Sequence, residues 1–491
     1  MTDAALDATP SAGAPTGDQP LTVGLLALAV GVISIPWSGH VDDVDAQFYR
    51  VLTRHLVEDH TWINLRFLPA LFPAFREHVP FGFWPWVVAD RLFGEQALGP
   101  VSALFTLATL YLVLRLGRRL GGNWVAVPAA VVLIATDSFL LIGGRSRLDP
   151  LLYLLTTASM FPVLADPQPR LRRWMLGALL AAGGALVKGP FGLLPFAAAT
   201  TAAALQLRSW RWLLAGSALT LAAAGPLVAF LLYERTFGDP TWWTAYVDAQ
   251  LLASARGARP TGHRPWMFPF QTLLTRFWPG LPLVALGIWP VLRRWGSPAQ
   301  LRLTLATVLI LAGLVLPGRK VWNHVLIAYP LLGLLAGFGA APLLRRLVAW
   351  RPGMLPAARR SLPVLAAVAL ALSVVGAGRW FFRPCVLQVE FAGPLAQLRP
   401  GDRIAVLAHF EPWAMVSMVA AETPFWPEPT RTPAWSAAMP LYTEPARMLD
   451  WSVKTGPPAM LVRDDATADI GPPPPPWRLA AKARGWSLLL R

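Results

Sequence analysis

Long apolar runs recur along the chain, and short polar loops separate them. The runs lie near residues 21–37, 98–114, 123–142, 150–165, 174–187, 190–207, 212–233, 277–292, 301–316, 322–343 and 362–378. Most have the length and character an α-helix needs to cross about 30 Å of hydrocarbon. Within lipid, backbone N–H and C=O groups must be paired inside the protein, which favours helices over lone strands. Counting short or half-buried helices, the pattern predicts a polytopic α-helical membrane protein with about 11–13 spans.

Composition agrees with that pattern. Hydrophobic residues make up 55% of the 491 positions and charged residues only 14%, and mean hydropathy is +0.47. A soluble chain of this size has too much hydrated surface to hide so many apolar groups. Residues 1–20 are polar, rich in proline, glycine and alanine, and contain no lysine or arginine. Without the basic flank of a signal peptide, they predict a disordered cytoplasmic tail before a retained first span.

The net charge of +16 would suggest nucleic acid as a partner for a soluble protein. Here the arginines crowd alternate loops: Arg115, Arg118 and Arg119; Arg170, Arg172 and Arg173; Arg208 and Arg211; Arg293, Arg294 and Arg302; Arg345, Arg346, Arg351, Arg359 and Arg360. Such a bias marks the cytoplasmic side of a membrane protein, so a lipid bilayer and no nucleic acid is expected. Cys385 is the sole cysteine, which excludes an internal disulfide framework and a multi-cysteine metal site.

The opposite face collects the remaining polar residues. These are the loop 38–97, the stretch Arg145–Asp149, Lys188, the loop 234–276 and the stretch Arg319–His324. His40, His55, His60, His78, His263 and His324 sort to the same side, and His409 falls in the C-terminal segment. Ionisable groups gathered on one membrane face mark a site by default.

From about Cys385 the composition becomes that of a soluble domain. Arg403–Phe410 and Ala459–Arg463 predict short strands with helical stretches between them. Pro472–Pro476 predicts a polyproline II spacer. The expected organisation is therefore a tail at 1–20, a transmembrane domain at 21–383 with 38–97 as its first periplasmic loop, and a small soluble periplasmic α/β domain at 384–491. The sequence holds no internal repeat, Walker loop, dinucleotide fingerprint or nucleophile elbow.

In the first loop, Asp42, Asp43 and Asp45 precede a stretch, 46–57, that predicts an amphipathic helix on the membrane surface. Acidic residues there serve either to cap that helix or to do chemistry. Glu77-His78 beside Pro80, Trp84 and Trp86 reads either as an interfacial anchor or as a carboxylate and imidazole for a metal or phosphate. Asp149 before Pro150 predicts an N-cap, with a salt bridge to Arg145 or Arg147 as the alternative. Lys188 in a Lys-Gly-Pro turn reads as a snorkelling lysine at a helix boundary. Arg319 and Lys320 at a helix end, without a nearby carboxylate in sequence, favour an anionic ligand.

The order of these motifs resembles that of the GT-C membrane glycosyltransferases of the ArnT and protein O-mannosyltransferase superfamily. The resemblance rests on Asp45-Ala46-Gln47-Phe48-Tyr49, Glu58-Asp59-His60-Thr61-Trp62, Glu77-His78-Val79-Pro80 and Leu92-Phe93-Gly94. It continues through Arg147-Leu148-Asp149-Pro150-Leu151, Leu186-Val187-Lys188-Gly189-Pro190, Trp242-Trp243, His263-Arg264-Pro265-Trp266, Arg319-Lys320 with His324, and Tyr329-Pro330. It covers about residues 21–380 and leaves the C-terminal domain aside.

The resemblance implies a GT-C fold and an inverting transferase that takes a sugar from a polyprenyl-phosphate carrier at the periplasmic face of a bacterial inner membrane. The acceptor (a lipid, a glycan or a protein) stays open. It implies Asp45 as the catalytic carboxylate, since Asp45 stands four residues before Tyr49. It implies substrate-binding roles for Tyr49, His78, Asp149, Lys188, Arg264, Arg319, Lys320 and Tyr329. Glu77 and His263 match positions associated with a divalent metal ion, although two protein ligands leave coordination incomplete. No nucleotide is expected. His78 stands where many relatives carry lysine, and a largely neutral imidazole makes a weaker phosphate contact; Arg259, Arg264 and Arg276 are candidates to replace that charge. A lipid-linked sugar transporter and a non-catalytic carrier-binding protein are the rival classes.

Overall fold

The computed structural model describes residues 24–25, 28–29, 44–66, 75–94, 97–166, 168–258, 264–350, 404–407, 459–463, 475–483 and 486–491. Two predicted spans, 21–37 and 362–378, lie almost entirely outside these residues. Every predicted span between 98 and 343 is helical.

The first loop carries the amphipathic helix α1 (Val44–Glu58), then α2 (Trp84–Phe93). Pro80 opens a single 3₁₀ turn, Pro80–Phe83, ahead of α2, and Gly94 at φ 81° ends it. The apolar helices follow as α3 (Leu98–Gly121), α4 (Asn123–Ala135), α5 (Asp137–Gly143), α6 (Leu148–Leu164), α7 (Leu171–Lys188), α8 (Leu194–Gln206), α9 (Trp210–Phe237), α10 (Phe268–Arg276), α11 (Leu281–Leu292), α12 (Pro298–Val315) and α13 (Tyr329–Trp350). Among the described residues five helical segments are long and apolar enough to cross a membrane: 98–121, 171–192, 210–237, 298–315 and 322–350. The shorter apolar helices at 123–135, 148–164 and 278–292 pack among them. The chain is a polytopic α-helical membrane protein.

One predicted span is broken. The run 123–142 divides at Thr136, which adopts extended backbone (ψ 105°) between α4 and α5. Asp137 and Ser138 follow at once and open the second helix, although hydrophobicity continues beyond them.

Helix contacts follow small residues, as expected where lipid supplies no hydrophobic drive and close backbone approach governs association. A side chain at Gly287 on α11 would strike the Leu335 carbonyl of α13, and one at Gly339 would strike the Leu283 carbonyl. Helix α13 is the central element, with Leu331–Ala336 almost fully buried.

Polar contacts sort to two ends of the bundle. Arg302 on α12 donates to the carbonyls of Val163 (3.2 Å) and Asp166 (2.5 Å) and to Gln206 Oε1 (2.6 Å). Arg173 donates to Asp166 (2.5 Å), and Arg119 lies 4.9 Å from the Phe161 ring centre. Loops expected on one side from their arginines therefore meet at one end.

Near the C-terminus, β1 (Ile404–Leu407), β2 (Ala459–Arg463), β3 (Arg478–Ala483) and β4 (Trp486–Leu490) form a sheet ordered β1-β2-β4-β3. β1 pairs parallel to β2, while β4 runs antiparallel to both β2 and β3. Both predicted strands are present. The β3–β4 hairpin is additional to the expectation, and the predicted helical stretches lie outside the described residues.

Candidate active site

At the other end of the bundle, three non-adjacent segments bring opposite charges together. Asp149 lies in the first turn of α6 with only 1% of its side chain exposed. Its Oδ1 accepts from Lys188 Nζ at 2.7 Å, across 39 residues of chain, and from Asn323 Nδ2 at 3.2 Å. Its Oδ2 accepts from Arg147 Nε at 3.2 Å. A second arm of the same guanidinium, Nη2, pairs with Asp45 at the start of α1. The order Asp45–Arg147–Asp149–Lys188 thus alternates in sign.

This arrangement corrects the expectation for Asp149. Helix α6 begins at Leu148 and Arg147 occupies the N-cap position, with no side-chain cap. Asp149 therefore sits inside the helix, and the alternative, a salt bridge to Arg147, is the one realised. Lys188, a snorkelling lysine by its local sequence and a phosphate-binding or loop-ordering residue by the resemblance, is 11% exposed and anchored on Asp149.

The Lys188 turn depends on a glycine. Gly189 adopts φ +61°, and a Cβ there would lie 2.5 Å from Tyr246 Oη. A left-handed backbone under a packed tyrosine suits glycine alone.

The other expected residues divide into those near this cluster and those apart from it. Tyr49 is buried on α1, and its hydroxyl lies 3.1 Å from His78 Nε2. His324 follows Asn323 and packs at a tilt against Phe191, ring centres 4.2 Å apart, in the turn after Lys188. Arg319 is held through its backbone N–H, which donates to Ser254 O at 2.9 Å. Lys320 is 8% exposed, and its Nζ donates to Pro317 O at 2.7 Å. Tyr329 is fully buried, with its hydroxyl 3.3 Å from Ser138 Oγ. Arg264 is exposed and lies over Phe268, 5.5 Å from the ring centre. Glu77 is exposed; Asp42, Asp43, Arg259 and His263 lie outside the described residues. Among the described residues, no group of three or more His, Cys, Asp or Glu side chains could hold a metal ion.

Sequence reasoning passed over Arg147 as a bridge, Asn323, Arg76 and Asp239. Arg76 donates from Nε (3.1 Å) and Nη2 (2.7 Å) to Asp239 Oδ2, and its guanidinium lies 4.6 Å from the Trp242 ring centre. An available signal was a basic residue beside Glu77-His78, matched by an acidic residue just before Trp242-Trp243 in the other long loop.

A helical membrane bundle with an alternating ion-pair cluster at one end defines the class, and comparison with known proteins narrows it. The fold aligns with the crystal structure of ArnT from Cupriavidus metallidurans bound to undecaprenyl phosphate, at TM-score 0.66 and 18% identity, over 97% of this chain and 98% of that one. The apo structure of the same protein aligns at TM-score 0.64 and 17% identity, covering 96% and 97%. In sequence, the chain is 27% identical over 304 residues to the undecaprenyl phosphate-alpha-4-amino-4-deoxy-L-arabinose arabinosyl transferase of Pseudomonas aeruginosa, covering 55% of this chain and 54% of that protein. A protein of the same name from Pseudomonas paraeruginosa is 26% identical over 437 residues, covering 85% and 73%. The chain thus spans about half the length of the P. aeruginosa relatives it matches. No family model matches. The chain has the fold of the ArnT structures.

Proposed function

We propose that the chain is an inverting glycosyltransferase that moves a sugar from a polyprenyl-phosphate carrier to an acceptor. The observation that carries this reading is the unequal exposure of two carboxylates joined by one arginine. Asp149 is 1% exposed and fully engaged, whereas the Asp45 side chain is 51% exposed while held by Arg147. Of these two, Asp45 is the one placed to meet an incoming acceptor, and a carboxylate in that position acts as a general base.

In the step proposed, an acceptor hydroxyl attacks the anomeric carbon as its proton passes to Asp45. The bond from that carbon to the carrier oxygen breaks, and the polyprenyl phosphate leaves with the electron pair. Arg147 orients Asp45. Lys188, with Arg264 and Lys320 as further candidates, offsets charge developing on the leaving phosphate. Tyr49, His78, Arg319 and Tyr329 remain proposed as substrate contacts. Glu77 and His263 remain proposed as metal ligands, and no step above runs through a metal. The proposed setting is a bacterial inner membrane, with the arginine-rich end cytoplasmic and the site and C-terminal sheet periplasmic. The names of the relatives make an undecaprenyl-phosphate-linked aminopentose the first donor to try.

The test uses the full chain purified in detergent with that donor, followed by other polyprenyl-phosphate sugars. Carrier-dependent sugar release or transfer is expected, reduced at least about 100-fold in folded Asp45→Asn. Wild-type turnover in that variant would remove Asp45 from the chemistry. Carrier binding without turnover in either protein would favour the transporter or carrier-binding class.

A further inference from the structure

Residues 239–257 form a strap that contacts Arg76, the Lys188 turn and the start of the Arg319-Lys320 segment. At its start, Asp239 receives the Arg76 guanidinium at 2.7 and 3.1 Å, and Arg76 is 7% exposed. The other oxygen of Asp239 accepts from the Thr241 N–H (2.9 Å) and hydroxyl (2.6 Å). Glu234 Oε2 accepts from the Asp239 N–H at 3.1 Å. Trp242 is fully buried beneath Arg76. This end is therefore fixed by charge, stacking and backbone hydrogen bonds together.

The middle of the strap is a π-helix, Trp243–Leu252. Such wide turns are rare and concentrate where a segment serves function. Tyr246, buried at 3%, projects from it against Gly189, the residue after Lys188. At its far end, Ser254 O and Ala255 O accept from the backbone N–H groups of Arg319 and Gly318, both at 2.9 Å. One segment therefore runs from the residue before Glu77-His78, over the Lys188 turn, to Arg319-Lys320.

We infer that Arg76 and Asp239 are positioning residues: their latch holds the strap so that Tyr246 sets the Lys188 turn in its phosphate-binding geometry. Neither touches the reacting atoms. The inference rests on the transferase reading for the identity of the anion, whereas the latch itself is a property of the fold. Arginine suits the position because a planar fork stacks on an indole while donating twice to one carboxylate, which lysine cannot do.

The experiment compares Arg76→Gln, Arg76→Lys, Asp239→Asn and the double variant Arg76→Gln/Asp239→Asn, each as the full chain in detergent. Hydrogen exchange is read first because it needs no substrate. Faster exchange in 243–252, with α6 and α7 unchanged, is expected in all four variants. Binding of undecaprenyl phosphate without sugar and the KM for a sugar donor are read next. Both should weaken about 10-fold while kcat stays within about twofold, and the double variant should be no worse than either single one, as residues acting as a unit require. Wild-type exchange in 243–252 would overturn the latch. Unchanged carrier affinity despite faster exchange, or losses confined to kcat, would overturn its positioning role. Wild-type protein that neither binds nor turns over carrier would defeat the transferase reading and the phosphate-positioning claim, with hydrogen exchange still deciding the latch. Asp239→Asn keeps its side-chain carbonyl as an acceptor for Thr241, so it separates loss of charge from loss of folding.

Discussion

The two ends of the helix bundle use charge in different ways. At the arginine-rich end, Arg302 closes the end of α6 by donating to two backbone carbonyls. Asp166 there collects Arg173 and Arg170, whose side chains stay 40% and 49% exposed. At the other end Asp45, Arg147, Asp149 and Lys188 alternate in sign, and all but Asp45 are largely buried. Partly hydrated cations in excess are a topology signal and cost little. A buried, balanced cluster loses hydration on every member and persists only when each charge has its partner. The second arrangement is therefore the one that marks a site.

The sharpest way to break that contrast is to strand a buried charge. Asp149→Ala removes the carboxylate that pairs with Lys188 and one of the two that pair with Arg147, and breaking a buried pair this way costs about 3–5 kcal/mol. A large fall in the unfolding midpoint in detergent is expected, with transfer abolished. Asp149→Leu combined with Lys188→Met removes one charge of each sign and should restore much of the stability without restoring transfer. If Asp149→Ala unfolds like wild type, the cluster behaves as a hydrated surface network and the contrast fails.

A smaller effect is expected at the opposite end. Arg302→Ala removes a cationic donor to two carbonyls and to Gln206, a loss of about 2 kcal/mol on the scale of charged hydrogen bonds. Transfer per folded molecule should stay at the wild-type rate, because among the described residues none at this end touches the site. A lower unfolding midpoint with unchanged specific activity sharpens the contrast. A falling specific activity would mean that the two ends are coupled.

How much of this was legible in the sequence depended on how local the governing physics is. Crossing lipid demands long apolar helices, so the spans between 98 and 343 could be read directly. The division at Thr136 could not, since the run remains apolar on both sides of it. Arg145–Asp149 and Lys188 were legible as polar exceptions on one face. Their pairing was not, because Asp149 finds Lys188 across 39 residues and Asn323 across 174. The N-cap reading of Asp149 failed for the same reason: local spacing cannot distinguish a carboxylate that serves its own helix from one that serves distant cations. Asn323 was passed over beside His324, although an amide at the start of a buried segment needs a partner and so offered a usable signal. The strap was hidden more deeply, since Arg76 and Asp239 lie in different loops and neither loop's pattern suggests a π-helix.

The smallest predicted effect concerns pH and separates the strap from the buried cluster. Burial alone would raise the Asp239 carboxyl, but hydrogen bonds from Thr241 and Arg76, together with the Arg76 charge, bring it below the ordinary carboxylate value. A depressed folded-state value means that its stabilising contribution is complete above the unfolded value, about 3.9, and is lost as pH falls through the folded one. Exchange protection of 243–252 should therefore be flat from about pH 5 to pH 8 and weaken only below about pH 4. Asp239→Asn, which cannot titrate, should lack that acid limb while starting from lower protection at neutral pH. A loss of protection centred near pH 6 would instead point to a histidine, with His78 near the Arg76 end of the strap as the first to test. In that case the strap would follow imidazole protonation rather than the Arg76–Asp239 pair.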